Sequence, residues 1–185
     1  RPDTALVSIM HANNEIGTIQ DIKTLAAISH EAGAVFHTDA VQSTGKIPVD
    51  VKELGIDMLS ASAHKLYGPK GIGCLYVKKG VTVGSYLHGG AHERNLRAGT
   101  VNVPGAVGFG KAAELAQQQM SQNIVHLKDL SLRLTKGILD TIPNSRLTGH
   151  PVDRLPGSVS MVFDYVEGES IRLMLDSYGI MASSG

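Results

Sequence analysis

Short apolar runs alternate with amphipathic stretches through the first third of the chain, the pattern of strands and helices taking turns around a largely parallel sheet. Ala5 to Met10 is an apolar-rich run of strand length, followed by the polar loop His11-Ala12-Asn13-Asn14-Glu15. Asp21 stands where it can cap a helix with Ile22, Leu25, Ala26 and Ile28 on its apolar face, and Gly33 stands where a left-handed C-terminal residue belongs. Ala34 to His37 reads as a second strand ending at Thr38-Asp39, Val51 to Leu54 as a one-turn helix, and Asp57 to Ser60 as a third strand running into Ala61-Ser62-Ala63-His64-Lys65. Polar residues recur at strand ends, where open α/β sheets hold their ligands.

From Gly68 the texture changes. Gly68-Pro69-Lys70-Gly71-Ile72-Gly73 suits a chain reversal before a strand from Cys74 to Val77, and a polar, Gly-rich loop spans His88 to Thr100. Pro104 occupies a first helical position, and Ile124, Leu127, Leu130, Leu134, Ile138 and Ile142 recur at steps of three and four, one apolar stripe expected to pack into a core. A domain boundary is expected near residue 120, separating 1–120 from 121–185. Beyond it, Ser158 to Phe163 reads as a strand, Glu169 to Ser177 as a helix stopped by Gly179, and Ile180 to Ala182 as the start of another strand.

Composition narrows the classes of partner. Seventeen basic and seventeen acidic side chains cancel, and no basic run or aromatic ladder interrupts the balance, so nucleic acid is not expected as a main partner. No apolar run approaches the roughly 18 residues of a membrane span, and no membrane partner is expected. A single cysteine, Cys74, leaves no internal disulfide and fits a reducing, cytoplasmic setting. Its place inside Gly73-Cys74-Leu75-Tyr76-Val77 predicts a buried structural thiol. The start at Arg1-Pro2-Asp3-Thr4, without Met or a signal-peptide pattern, and the end at Ser183-Ser184-Gly185 give the expectation of a fragment.

Candidate chemistry gathers at the strand ends. Asp39 and the Ser62-His64-Lys65 cluster each close a predicted parallel strand, so one sheet rim can hold them together. Pyridoxal phosphate requires a lysine for covalent attachment, a carboxylate for its pyridine nitrogen and donors for its phosphate. Lys65, Asp39, and Ser62 with His64 supply these groups, and Asn14 and Gln42 can hydrogen-bond the ring's phenolic oxygen. The spacing permits this cofactor without requiring it. His88, His92 and Glu93 do not predict a metal site, because Gly89-Gly90 disfavours the helix that would pair the histidines; a loop is expected instead. Gly68 to Gly73 lacks the Gly-x-x-x-x-Gly-Lys-Ser/Thr of a nucleotide loop.

Five ordered blocks carry a resemblance to a known family. Met10-His11-Ala12-Asn13-Asn14-Glu15-Ile16-Gly17, His37-Thr38-Asp39-Ala40-Val41-Gln42-Ser43 and Ser62-Ala63-His64-Lys65-Leu66-Tyr67-Gly68-Pro69-Lys70-Gly71 resemble successive motifs of the cysteine desulfurases. His88 to Arg94 leading to Arg97-Ala98-Gly99-Thr100 resembles a fourth block, and Val166-Glu167-Gly168-Glu169-Ser170 a fifth. The resemblance implies an α/β fold, the mainly parallel sheet of a pyridoxal-phosphate-dependent, class V aminotransferase-like large domain plus part of a small α+β domain, acting as a homodimer. It implies Lys65 as the catalytic lysine that holds the cofactor and carries protons. It implies Asp39 at the pyridinium nitrogen, Gln42 and Asn14 at the phenolic oxygen with Asn14 also near the substrate carboxylate, Ser62 and His64 at the phosphate, and Thr100 at the phosphate of the partner subunit. The implied reaction converts L-cysteine to L-alanine and passes sulfur as a persulfide to a sulfur-acceptor protein, for iron-sulfur clusters or thio-cofactors.

The same resemblance implies what the chain lacks. A Gly-Thr phosphate loop, a ring-stacking histidine, a carboxylate-binding arginine and the nucleophilic cysteine, which the family places just after Ser-Ser-Gly, are all missing from 1–185. The chain alone is therefore expected not to turn over. A related selenocysteine lyase or cysteine sulfinate desulfinase, and a non-catalytic fragment that only packs or binds a partner, remain open alternatives.

Overall fold

The computed structural model describes residues 1–184, which form two compact units: Arg1–His11 with Asp21–Met120, and Ala12–Gln20 with the residues from Ser121 on. The first unit is built on a four-stranded sheet in the order β1 (Leu6–Met10), β2 (Val35–Asp39), β3 (Met58–Ser62), β4 (Gly73–Val77). The first three strands are parallel, and β4 runs antiparallel along one edge.

Local chemistry sets the crossover from β1 to β2. The Asp21 carboxylate accepts from the Thr24 amide at 3.2 Å and from its hydroxyl at 2.6 Å, starting helix α1 (Ile22–Glu31) where the cap pattern predicts. Gly33, at φ +76°, turns the chain into β2 in the left-handed conformation that glycine adopts without strain. The apolar face of α1 then buries Ile22 and Ala26 against Phe36, Ala40, Ile56, Leu59 and Ala61. Alternation along β2 puts Phe36 and Thr38 in this core and His37 and Asp39 on the opposite face. Core and rim are thus separated by the strand pleat itself.

A buried carboxylate ties the far end of this sheet. Asp57, with its side chain 8% exposed, accepts from the Phe36 amide at 3.0 Å and from Lys78 Nζ at 3.0 Å, and pairs with His30 Nε2 at 2.6 Å. One side chain thereby joins the last turn of α1, the second residue of β2 and the residue after β4. Burial, the largest influence, pushes the Asp57 carboxyl up, but the Phe36, His30 and Lys78 hydrogen bonds together hold it below the usual carboxylate range. A carboxyl with a depressed folded-state pKa stabilises fully above its unfolded pKa and loses that contribution as pH falls through the folded value. Asp57→Ala is expected to cost about 2 kcal/mol at neutral pH, because it leaves the buried Phe36 amide without its acceptor while the part-exposed His30 and Lys78 turn to solvent. Asp57→Asn should flatten the fall in stability below about pH 4; urea titrations at pH 7 and pH 3 measure both.

The second unit contains the hairpin of β5 (Ser145–Leu147) and β6 (Met161–Phe163), helix α3 (Gly168–Ser177) and the later part of the long helix α2 (Val103–Thr141). Arg154 organises its loops, donating from Nη2 to the Ile16 carbonyl at 3.0 Å and from Nε to the Ser158 carbonyl at 3.1 Å. Gly17 lies so close to Ser158 that a Cβ would collide with it.

Four expectations fail. Residues 51–54 form hydrogen-bonded turns, with Ile56 N–H to the Val51 carbonyl at 2.9 Å, because the stretch is too short to propagate a helix. Residues 180–182 pair with no strand among the described residues. The stripe on α2 is not buried: Leu130 is 41% and Leu134 54% exposed. Periodicity identifies an apolar face but not its cover, and a hairpin with three residues per strand cannot cover a 39-residue helix. Cys74 is exposed rather than buried, since β4 is an edge strand and nothing among the described residues covers its first three positions. Its sulfur is nevertheless shielded enough that burial pushes the thiol up, partly offset by a backbone hydrogen bond from Ala61.

Candidate active site

The carboxyl ends of β1, β2 and β3 lie in register. Met10 pairs with Asp39 and Asp39 with Ser60; the His11 amide donates to the Asp39 carbonyl and the Ala40 amide to the Ser60 carbonyl. This shared rim carries Asp39, the turns from 40 to 46 with Gln42, and the one-turn helix Ala63–Leu66 with His64 and Lys65. The parallel topology therefore brings Asp39, Gln42, Ser62, His64 and Lys65 to one end of one sheet. Asn14 belongs to the second unit, in an exposed turn where the neighbouring Asn13 carboxamide accepts from the Glu15 and Ile16 amides. Thr100 lies in the exposed loop before α2.

Each group on the rim keeps capacity for a ligand. The Lys65 amine is exposed and forms no ion pair among the described residues. Asp39 uses Oδ1 to accept from the Val41 amide at 2.9 Å, and its second oxygen has no partner among the described residues. Ser62 Oγ and His64 Nδ1 stand 2.7 Å apart. With His64 neutral, either the serine donates and the imidazole keeps its Nε2–H, or Nδ1–H donates and the serine keeps its O–H. Both tautomers leave one donor free for an anion. An amine, a carboxylate with a free oxygen, a hydroxyl–imidazole donor pair and a carboxamide fit pyridoxal phosphate, which combines an aldehyde, a basic ring nitrogen, a phenolic oxygen and a phosphate.

A glycine sets how closely two parts of this rim approach. Gly45 has φ +75°, and a Cβ there would collide with Leu66 Cδ2 and sit 3.0 Å from Ala116 Cβ. The turn bearing Gln42 thus packs directly on the turn bearing Lys65. Gly45→Ala is expected to combine left-handed strain with this clash, lowering stability by about 2 kcal/mol and weakening any ligand that bridges the two turns. Thermal melts with and without pyridoxal phosphate test it.

Two side chains near the rim escaped the sequence reading. His37 spans the sheet face beside Asp39, with Nδ1 2.7 Å from Ser8 Oγ and Nε2 2.9 Å from Ser60 Oγ. Burial pushes its imidazole down and the Asp39 charge pulls it up, the first being larger. Its spacing of two from Asp39 on a strand is the signal that both share a face. Lys46 donates from Nζ to Gln42 Oε1 at 3.1 Å. Residues 40–47 form helix-like turns, with the Thr44 and Ile47 amides bonded four residues back, so the spacing of four between Gln42 and Lys46 is the corresponding signal.

Comparison with known proteins shows the family to which the chain belongs. The class-V aminotransferase sequence profile matches residues 1–185. The chain is 54% identical over 185 residues to a cysteine desulfurase, IscS, of Methanosarcina thermophila, and 51% identical to one of Dictyoglomus turgidum. All of the chain aligns in both cases, against 46% and 47% of those proteins, so it spans about half the length of the curated relatives it matches. Among solved structures, a NifS-like protein of Rickettsia africae superposes with a TM-score of 0.93 at 34% identity, covering 98% of this chain and 50% of that one. A second NifS-like protein also gives 0.93, at 40% identity over 99% of this chain and 50% of the other. The rim of Asp39, Gln42, Ser62, His64 and Lys65 therefore stands in a chain that belongs to the class-V aminotransferase family, as a homologue of its cysteine desulfurases.

Proposed function

We propose that residues 1–185 carry the cofactor-holding part of a pyridoxal-phosphate-dependent cysteine desulfurase. The observation that carries this reading is the unpaired Lys65 amine beside the Ser62–His64 donor pair, on the rim that also holds Asp39. When bound, pyridoxal phosphate supplies a conjugated ring that draws electron density from the α-carbon of an amino acid. Lys65 would hold the cofactor's aldehyde carbon through its Nζ and would move protons at that same nitrogen. The free oxygen of Asp39 keeps a proton on the ring nitrogen by opposing its charge. Ser62 and His64 donate to the phosphate, and Gln42 donates to the phenolic oxygen.

The overall change breaks the Cβ–S bond of L-cysteine and forms a sulfur–sulfur bond on an acceptor thiol, so that L-cysteine and a thiol become L-alanine and a persulfide. Cys74 does not serve as that thiol: it lies on β4, and its raised pKa keeps it protonated and poorly nucleophilic. We assign residues 1–120 to the cofactor-binding domain and 121–185 to part of a smaller domain. Asn14 contributes to the phenolic oxygen and substrate carboxylate, and Thr100 to the phosphate held by the partner subunit of a homodimer. A cytoplasmic sulfur-acceptor protein receives the persulfide for iron-sulfur cluster or thio-cofactor assembly. None of the helices is long and apolar enough to cross a membrane among the described residues.

Titrating pyridoxal phosphate into the chain tests the reading. A saturable visible band that Lys65→Ala abolishes is the expected result. A band absent in wild type, or unchanged in Lys65→Ala, would overturn it.

A further inference from the structure

We propose that Lys46 is a positioning residue of this rim: by donating its ammonium proton to Gln42 Oε1, it fixes the carboxamide so that Nε2–H2 is the end presented to a ligand's acceptor oxygen. The inference deepens the proposed function and rests on it for the identity of that acceptor, the phenolic oxygen of pyridoxal phosphate.

The argument begins with a chemical asymmetry. A carboxamide has an accepting end and a donating end of nearly equal shape, and an isolated glutamine can present either one. An ammonium only donates. The 3.1 Å contact from Lys46 Nζ therefore commits Oε1 to the lysine and leaves the two N–H donors for something else. A phenolic oxygen that carries negative charge needs a donor, so the lysine selects the useful orientation before any ligand arrives.

The position of Lys46 is not that of a solvated surface lysine. It is half-buried, and burial pushes its ammonium below the usual lysine range, with the Lys65 charge adding to the same effect. Gly45, packed against Leu66, holds it there, next to the turn that carries Lys65. A charge kept in a partly desolvated place beside a second charge costs stability, and the hydrogen bond to Gln42 is the one interaction among the described residues that offsets the cost.

The test has one arm without cofactor and one with it. In the chain alone, the Gln42 side-chain amide is followed by nitrogen-15 NMR in wild type, Lys46→Met and Lys46→Arg. Methionine keeps the apolar stem and removes the donor, whereas arginine keeps a donor. The expected result is a displaced, averaged Gln42 amide signal in Lys46→Met and a restored one in Lys46→Arg. In the second arm, pyridoxal phosphate affinity is measured for Lys46→Met, Gln42→Ala and the double variant. Each single change should weaken binding roughly tenfold, and the double variant should be no weaker than the worse single, because both remove the same interaction. A Gln42 signal unchanged in Lys46→Met, or losses that simply multiply, would overturn the proposal. Should Lys46→Met not fold, a folded Lys46→Arg with a disordered Gln42 amide overturns it equally. Failure of wild type to bind the cofactor overturns the functional reading instead and leaves the first arm to judge Lys46.

Discussion

Lys65→Ala is expected to abolish covalent capture of pyridoxal phosphate. In wild type, borohydride reduction of the chain with bound cofactor should place one pyridoxyl group on the peptide containing Lys65, and on none of the peptides containing Lys46, Lys70 or Lys78. Lys65 combines an exposed amine, without an ion-pair partner among the described residues, with the Ser62–His64 donor pair in one tight segment, Ser62 to Lys65. Lys78 is engaged with Asp57 at the opposite end of the sheet, and Lys46 with Gln42. In the alanine variant the label should fall to the level of free-lysine background. A label that stays, or that maps elsewhere in wild type, would remove Lys65 from the site.

Asp39→Asn is expected to produce the second large effect, dividing binding from chemistry. The asparagine can still occupy the end of β2, and its carbonyl oxygen can still accept from Val41, so the turn to Gln42 is kept. What disappears is the negative charge that, in the proposed site, would oppose a proton on the ring nitrogen. Cofactor content should therefore fall by a few-fold at most, while alanine formation from L-cysteine, in a polypeptide containing these residues that turns over, falls by roughly a hundredfold or more. A variant with full turnover would displace Asp39 from the role assigned to it. The two substitutions differ in kind: the first removes the anchor, the second leaves the anchor and removes what makes it useful.

Much of this was legible in the sequence because strands and caps are local statements. The Asp21 cap, the left-handed Gly33 and the three parallel strands follow from patterns a few residues long, and the parallel order then places Asp39 and Lys65 on one rim without further information. The comparisons support the family and the fold, which the motif order had already indicated. What stayed hidden depended on neighbours in space. An apolar strand such as Gly73–Val77 reads the same whether it is central or at an edge, so the exposure of Cys74 could not be read from it. The stripe on α2 fixed a face and said nothing of a cover. The bond between Gln42 and Lys46 depends on helix-like turns over 40–47, a stretch in which the sequence pattern marks no helix.

The alternation along β2 has a consequence for how such a chain can change length. Phe36 and Thr38 face the core, while His37 and Asp39 face the other way, so hydrophobic packing and site chemistry share one strand in complementary frames. Inserting or deleting a single residue between Val35 and Asp39 would exchange the two sets, driving a carboxylate into the core and a phenylalanine out of it. Drift in length is thus forbidden inside the strand and tolerated in the exposed stretches such as 79–102, where no such frame exists. Single-residue insertions compared between β2 and the exposed stretch 79–87 should collapse the fold in the strand and be survived in the stretch.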